Sequence, residues 1–286
     1  RKGHGWQRAT PVALMGCAIS KKSATGVARS QRMRMAEAAR RTRYNGRPMS
    51  LDPVVINLVS TIVMAASAGV SLLTWYYHRD APGLRPWTIA LVLTMLALVL
   101  YGQRAEDTPG WLIFTADLLF VGGFAMMWMS LRRFNDRRIG PDRVAIETLV
   151  VCAAFTVLSF ASWQVGGGRL MQSGLRTVFI CLLSGAAAWE TWRGGRTDAL
   201  HSRIVAAGAL AGIALVRVMR AIAVVLQFAG VIDAAVGRTV QNYTVYITTS
   251  CMLIVTFGLI LMATERAERE RAALFDRWQS ERPPLR

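Results

Sequence analysis

Residues 204–226 read IVAAGALAGIALVRVMRAIAVVL, a run in which only Arg217 and Arg220 are charged. A helix needs about 20 predominantly apolar residues to cross the roughly 30 Å hydrocarbon core of a bilayer. This run is long enough, so it predicts a transmembrane helix. The composition agrees with that prediction, because 53% of the 286 residues are hydrophobic, 18% are charged and the mean hydropathy is +0.33. A soluble domain seldom combines these values.

Six further segments are long and apolar enough to span a bilayer by the same measure. Together with the first run they predict an all-α membrane protein, with about seven transmembrane helices in a domain at residues 49–262. The seven predicted helices are, in chain order, Val54–Tyr77, Leu84–Tyr101, Trp111–Leu131, Val144–Trp163, Arg176–Trp192, Ile204–Leu226 and Thr244–Met262.

The distribution of arginine between alternate connections predicts the orientation of these helices. After residue 49, one set of connections together with the C-terminal tail carries sixteen arginines, and the other set carries four. Cytoplasmic loops of membrane proteins carry the excess of positive charge. We therefore expect the C-terminus in the cytoplasm and, with seven helices, the N-terminus outside.

Residues 1–48 carry twelve basic residues and one acid, Glu37, and contain no run long enough to span a bilayer. This composition predicts either a disordered basic arm, a mitochondrial transit peptide, or a region translated from upstream of the natural start. A basic arm on the outer side would oppose the charge rule. Met49 directly precedes the first apolar segment. We therefore favour a natural start at Met49.

Ionisable residues inside predicted spans are candidates for function, because a charge in hydrocarbon is costly. Asp117 and Arg220 each lie six residues inside the outer end of a span, about 9 Å deep. Arg217 shares a helix face with Arg220 and lies about one turn deeper. These depths predict an ion pair of Asp117 with Arg220 or Arg217, either as a structural pair or as a site for ligand or proton sensing.

Two glutamates lie near the cytoplasmic ends of predicted spans. Glu147 follows Arg143 by four residues, and Glu190 precedes Arg193 by three. Residues at these spacings face each other on a helix. We expect both glutamates to form interfacial ion pairs.

The tail after Met262 continues as a charged segment, in which Glu265 and Arg269 have a favourable i,i+4 spacing and Leu274 closes the helical pattern. Residues 263–286 therefore predict a short cytoplasmic helix that is ended by Pro283-Pro284. The helix is either a solvated stub or a signal connector to an output domain.

Several classes of protein are disfavoured by the residues present. The net charge is +17, and arginines in short connections beside apolar segments are the ordinary topology signal of membrane proteins, so the charge indicates the bilayer as partner rather than nucleic acid. The four cysteines and three histidines have no metal-ligand spacing, and no catalytic signature occurs, so we expect no metal, no cofactor and no enzymatic activity. All lysines precede the first span, which excludes a retinal Schiff base; they are Lys2, Lys21 and Lys22.

The order of these features resembles the seven-helix membrane sensory region found N-terminal to bacterial GGDEF diguanylate cyclases. The resemblance covers about 49–276. The residues that carry it are Trp87, Trp111, Asp117, the run Met127-Trp128-Met129-Ser130-Leu131-Arg132-Arg133-Phe134, the run Ala188-Trp189-Glu190-Thr191-Trp192-Arg193, the pair Arg220-Ala221, and the charged segment 265–274.

The resemblance implies a signal-input module in the bacterial inner membrane, whose tail leads to a cytoplasmic output domain. The chain has no Gly-Gly-Asp/Glu-Glu-Phe motif, so it is expected to be the truncated, non-catalytic part of such a protein or a free-standing relative of it. Gly208 and Gly212 permit close helix approach and so a possible homodimer. The alternatives are a small multi-pass transporter and an inactive structural membrane protein.

Overall fold

The computed structural model describes residues 53–77, 79, 83–103, 108–136, 139–166, 168–198 and 201–280. Within these residues the chain is helical, without β-strands, and has seven helices long and apolar enough to cross a membrane. The all-α, seven-span prediction is therefore confirmed. The helices are α1 Pro53–Tyr77, α2 Leu84–Gly102, α3 Gly110–Asn135, α4 Pro141–Gln164, α5 Gly168–Asp198, α6 His201–Phe228 and α7 Ala234–Ser280.

Five predicted spans match their helices closely, whereas α5 and α7 begin well before their predicted starts. α5 begins at Gly168 rather than Arg176, and α7 begins at Ala234 rather than Thr244. Polar residues interrupt both early segments, so hydropathy underestimates the length of these helices; they are Arg169, Gln172 and Ser173 in α5, and Arg238, Thr239, Gln241 and Asn242 in α7. Hydropathy follows the stretch that suits hydrocarbon, whereas helix bounds follow backbone hydrogen bonding. The predicted arm at 1–48 and the Pro283-Pro284 stop lie outside the described residues.

Six of the helices form a closed ring. Neighbouring pairs around the ring are α1 and α2, α2 and α3, α3 and α5, α5 and α6, α6 and α7, and finally α7 and α1. α4 lies outside the ring and packs against α3 and α5. The ring therefore encloses a central space that six helices border and α4 does not.

The outer surface of the bundle is apolar. On α4, Leu149, Val157 and Phe160 are exposed, and on α6 so are Leu215 and Val225. Soluble monomers rarely expose extended apolar surface of this kind. The surface suits contact with a lipid bilayer.

Consecutive helices alternate in direction, so the bundle has two ends. Near one end of the α1–α2 pair, Asn57 Nδ2 donates to the Leu98 carbonyl at 2.9 Å. Near the other end, the hydroxyls of Ser71 and Thr88 hydrogen-bond at 2.8 Å. We call the end where α1 begins the first end. We call the end from which α7 extends the second end.

α2 and α3 pack with their backbones in close contact at Gly123. A β-carbon at position 123 would lie 2.5 Å from Thr94 Oγ1 and 3.1 Å from the Ala90 carbonyl oxygen. The same two helices are joined where Ser130 Oγ donates to the carbonyl of Gly83 at 2.6 Å. Gly83 precedes α2 with a φ of +91°, which a residue with a side chain rarely adopts. Small residues therefore set the α2–α3 spacing.

We expect Gly123→Ala to lower the free energy of unfolding by about 1–3 kcal/mol, because the added methyl overpacks against α2. Gly185→Ala is the matched control, since a β-carbon at this helical position meets nothing within 4 Å. The control should be neutral or stabilising by up to about 1 kcal/mol. Denaturant unfolding in detergent micelles measures both; equal effects of the two substitutions would contradict the packing argument.

The predicted orientation can be tested with single cysteines at the two ends of the bundle. In a chain whose four native cysteines are replaced by alanine, Val231→Cys lies between α6 and α7 at the first end, and Leu274→Cys lies beyond the second. Both positions are exposed. With the second end in the cytoplasm, a membrane-impermeant maleimide labels Val231→Cys on intact cells and Leu274→Cys only after permeabilisation. Labelling of Leu274→Cys on intact cells, and of Val231→Cys only after permeabilisation, would show that the topology is the reverse of the predicted one.

Candidate functional site

Asp117 lies buried in the first half of α3 and is held by residues of two other helices. Arg176 of α5 donates from NH1 to Asp117 Oδ1 at 2.5 Å. Tyr101 of α2 donates its hydroxyl to the same oxygen and accepts a bond of 2.8 Å from Arg176 NH1. The Arg176 guanidinium carbon also lies 5.1 Å from the centre of the Tyr101 ring. This triad ties α2, α3 and α5 together toward the first end.

The predicted partner of Asp117, Arg220 or Arg217, was wrong, because the ion pair is formed with Arg176. Arg176 was assigned to the start of a span and counted with the outer connections. The helix begins at Gly168, which places Arg176 about two turns inside α5. Since α3 packs directly on α5, the two side chains meet. The signal that could have located Arg176 is the glycine run at 166–168, which marks where the helix begins.

Arg220 binds a backbone group instead. Its NH1 donates to the carbonyl of Gly237, near the start of α7, at 2.8 Å. Its Nε is buried and has no hydrogen-bond partner among the described residues. Arg220 therefore joins α6 to α7.

Arg217 lies one turn deeper on α6 and is 2% exposed. Its guanidinium carbon lies 5.6 Å from the centre of the Phe120 ring. Within the part of the chain that the structure describes, no carboxylate pairs with it and its Nε has no hydrogen-bond partner. The nearby charges of Arg176 and Arg220 repel it. Arg217 is thus a buried cation without a counter-charge among these residues.

A cavity of about 400 Å³ lies inside the ring and is bordered by all six ring helices. Arg176 and Arg217 face it from α5 and α6, and no Asp or Glu is among the described residues that line it. Its volume is in the range of sites for small organic ligands. Its other polar lining residues are Asn57, Thr94, Tyr101, Arg238, Gln241, Asn242, Thr248 and Thr249, and its apolar ones include Ile56, Met64, Leu98, Phe120, Phe124, Val245 and Met252.

The two glutamates of the second end share one arginine. Glu147 pairs with Arg143 as predicted, at 2.8 Å, and also with Arg132 NH1 of α3 at 2.5 Å. Glu190 was predicted to pair with Arg193, but its carboxylate lies 3.8 Å from Arg132 Nε. The reason is that α5 packs on α3, so Glu190 faces Arg132, whereas Arg193 is exposed. Arg132, which the sequence analysis did not select, therefore links α3, α4 and α5.

The connector residues lie on α7, which continues without a break to Ser280. This confirms the predicted helical continuation, with Glu265 and Arg269 one turn apart and Leu274 exposed. Arg266 NH1 donates to the Phe134 carbonyl of α3 at 2.9 Å, and its guanidinium carbon lies 5.4 Å from the centre of the Phe134 ring. The helical segment after Met262 is thus attached to the rest of the bundle through α3.

In the residues that the structure describes, no three His, Cys, Asp or Glu side chains come together as a metal would require. The site is cationic and partly apolar.

No model of a known protein family matches this chain, and no curated protein or solved structure matches it. The function is therefore argued from the site itself.

We expect Asp117→Asn to lower the free energy of unfolding by about 3 kcal/mol, because it leaves Arg176 buried without its counter-charge. Arg176→Gln should cost less in the Asp117→Asn background than in the native chain. The coupling energy of this double-mutant cycle should be about 1–3 kcal/mol. Unfolding in mixed micelles measures all four proteins.

The Asp117→Asn and Arg220→Gln cycle is the control, since Arg220 binds a backbone carbonyl on another helix. Its two effects should be close to additive. A coupling as large as that with Arg176 would show that Asp117 and Arg220 form the working pair.

Proposed function

We propose that this chain is a membrane-embedded signal-input module that receives a ligand in the central cavity and passes its state along α7. The supporting observation is that one unbroken helix both lines the cavity and forms the connector. This is the arrangement that the resemblance to the sensory region of diguanylate cyclases implies. The proposed location is the bacterial inner membrane, and the proposed role is non-catalytic.

α7 is built to carry a displacement over a long distance. It has 47 residues, which corresponds to about 70 Å of helix. Gln241, Thr248 and Met252 line the cavity, while the segment after Glu268 is largely exposed beyond the second end. A helix is stiff along its axis, so a shift or rotation at the cavity reaches the connector.

α3 supplies a second route between the same two places. It carries Asp117 toward the first end and Phe134 at the second. The guanidinium carbons of Arg203 and Arg266 lie 5.6 Å and 5.4 Å from the centre of the Phe134 ring. The connector is therefore held against the helix that bears the ion pair, and a change at either helix alters the same contact.

The exposed end of α7 is the proposed output surface. Leu274, Phe275 and Trp278 are exposed there, and the two aromatic rings lie 6.2 Å apart. Apolar side chains on a solvated helix mark a place for a partner. The proposed partner is a cytoplasmic output domain, or the same helix of a second copy.

Filling the cavity should change the dynamics of the connector if α7 transmits. We expect Thr249→Trp, at a buried cavity position, to change hydrogen exchange of peptides covering 263–274 by about fivefold, or about 1 kcal/mol of local opening free energy. Hydrogen exchange with mass spectrometry on the chain in lipid nanodiscs measures this.

Ser250→Trp is the matched control, since it adds the same side chain at the next residue of α7, which is exposed. It should leave the connector peptides unchanged. If both variants leave them unchanged, α7 does not transmit, and the transporter alternative gains support.

A further inference from the structure

The buried charges around the cavity do not balance. Arg176, Arg217 and Arg220 are each at most 6% exposed, and the buried carboxylate in contact with this cluster is Asp117. Asp117 neutralises Arg176, and the cavity lining adds no acid among its described residues. Burying a charge without a counter-charge is strongly unfavourable. The cluster therefore favours a bound anion.

Unpartnered polar atoms belong to side chains that line the same cavity. Arg217 Nε, Gln241 Oε1 and Thr248 Oγ1 are buried without a hydrogen-bond partner among the described residues, and all three side chains line the cavity. Most buried polar groups in native proteins have a partner. Three such groups on one wall, on α6 and α7, indicate where the polar part of a ligand binds.

Much of the rest of the cavity wall is apolar, so it favours an apolar group of the ligand. Met64, Leu98, Phe120, Phe124 and Met252 line the cavity from α1, α2, α3 and α7. A small hydrated ion would leave this apolar surface unfilled, whereas an alkyl chain would be stabilised by about 25 cal/mol for each Å² of surface that it buries. The lining thus selects a ligand with an ionic head and an apolar tail.

We propose that the cavity binds an anionic amphiphile, with a carboxylate or phosphate head held by Arg217 and an apolar chain packed against the methionine and phenylalanine side chains. A guanidinium matches these oxyanions with two parallel hydrogen bonds. The inference deepens the proposed function and rests on it, because it names the class of ligand that the input site receives. The head group can belong to a free fatty acid or to a membrane phospholipid.

Binding can be tested on the full chain in phosphatidylcholine nanodiscs with three probes of equal chain length. Dodecanoate and dodecyl phosphate should bind with an affinity at least tenfold higher than that of uncharged dodecanol, measured by isothermal titration calorimetry. Arg217→Gln should weaken binding of the two anions by about tenfold or more, because a charge-assisted bond is lost. Equal binding of dodecanol and dodecanoate to the native chain would overturn the proposal without any variant.

Arg271→Gln is the control variant, since Arg271 is exposed on the connector and the substitution removes the same charge. It should leave anion binding unchanged. Arg217→Met should bind no dodecanoate, yet its ligand-free Tm should equal or exceed that of the native chain, because an uncompensated buried charge is removed. Unchanged dodecanoate affinity in the Arg217 variants would assign the arginine a structural role and overturn the proposal.

Changing the lipid composition of the nanodiscs shows whether the head group belongs to a free fatty acid or to a membrane phospholipid. If nanodiscs with 30% phosphatidic acid abolish dodecanoate binding while those with 30% phosphatidylglycerol or none do not, a phosphomonoester lipid is the competing occupant. If dodecanoate binds equally in all three, the site takes the free acid. Either result supports an oxyanion amphiphile.

The experiments give different results if the proposed ligand class is wrong and if the proposed signal transmission is wrong. Anion binding without any change in connector exchange on adding dodecanoate supports the ligand class and contradicts signal transmission. A connector response to Thr249→Trp without preferential anion binding supports transmission and contradicts the ligand class.

Discussion

The structure depends on the need to neutralise arginine inside a bundle whose outer face suits hydrocarbon. The carboxylate of Asp117 forms an ion pair with Arg176, and the hydroxyl of Tyr101 completes a triad across α2, α3 and α5. Removing either charge of such a pair costs more than the pair contributes, because the remaining charge is left buried. The triad therefore fixes the spacing of three ring helices and leaves nothing for Arg217, which faces the cavity from the next helix.

The closed ring of six helices links these buried charges to distant parts of the bundle. α1 and α7 are the two ends of the transmembrane sequence, and their contact closes the wall around the cavity. α7 lines the cavity and also continues beyond the second end, so one helix joins these two regions. Arg220 adds a further link, since it ties the part of α6 near the first end to the start of α7 at Gly237. The second end is held by a different network, in which Arg132 joins Glu147 and Glu190.

The sequence predicted the seven spans because hydrophobic length is a local property, and each run could be measured against the bilayer alone. It also identified Asp117, Arg217 and Arg220, because charges within apolar runs are visible without a partner. It did not predict the partner of Asp117, since that depends on which helices become neighbours and on where α5 begins. Arg176 was placed at the start of its predicted span because Arg169, Gln172 and Ser173 interrupt the apolar sequence before it. The sequence also paired Glu190 with the wrong arginine. Arg193 is the nearest arginine in sequence, whereas Arg132 faces Glu190 across the α3–α5 interface.

The charge imbalance also gives the direction in which a ligand would act. Arg176 and Arg217 lie on adjacent helices and line the same cavity, but Asp117 pairs with Arg176 alone. An oxyanion in the cavity would give Arg217 the counter-charge that no described residue supplies, and would draw α6 toward the ligand. α6 carries Arg220, which binds the start of α7. A movement of α6 would therefore be transmitted to α7, the helix that extends beyond the bundle. The Asp117 pair is already balanced, which is why the cation without a counter-charge among the described residues, rather than that pair, is the element suited to switching.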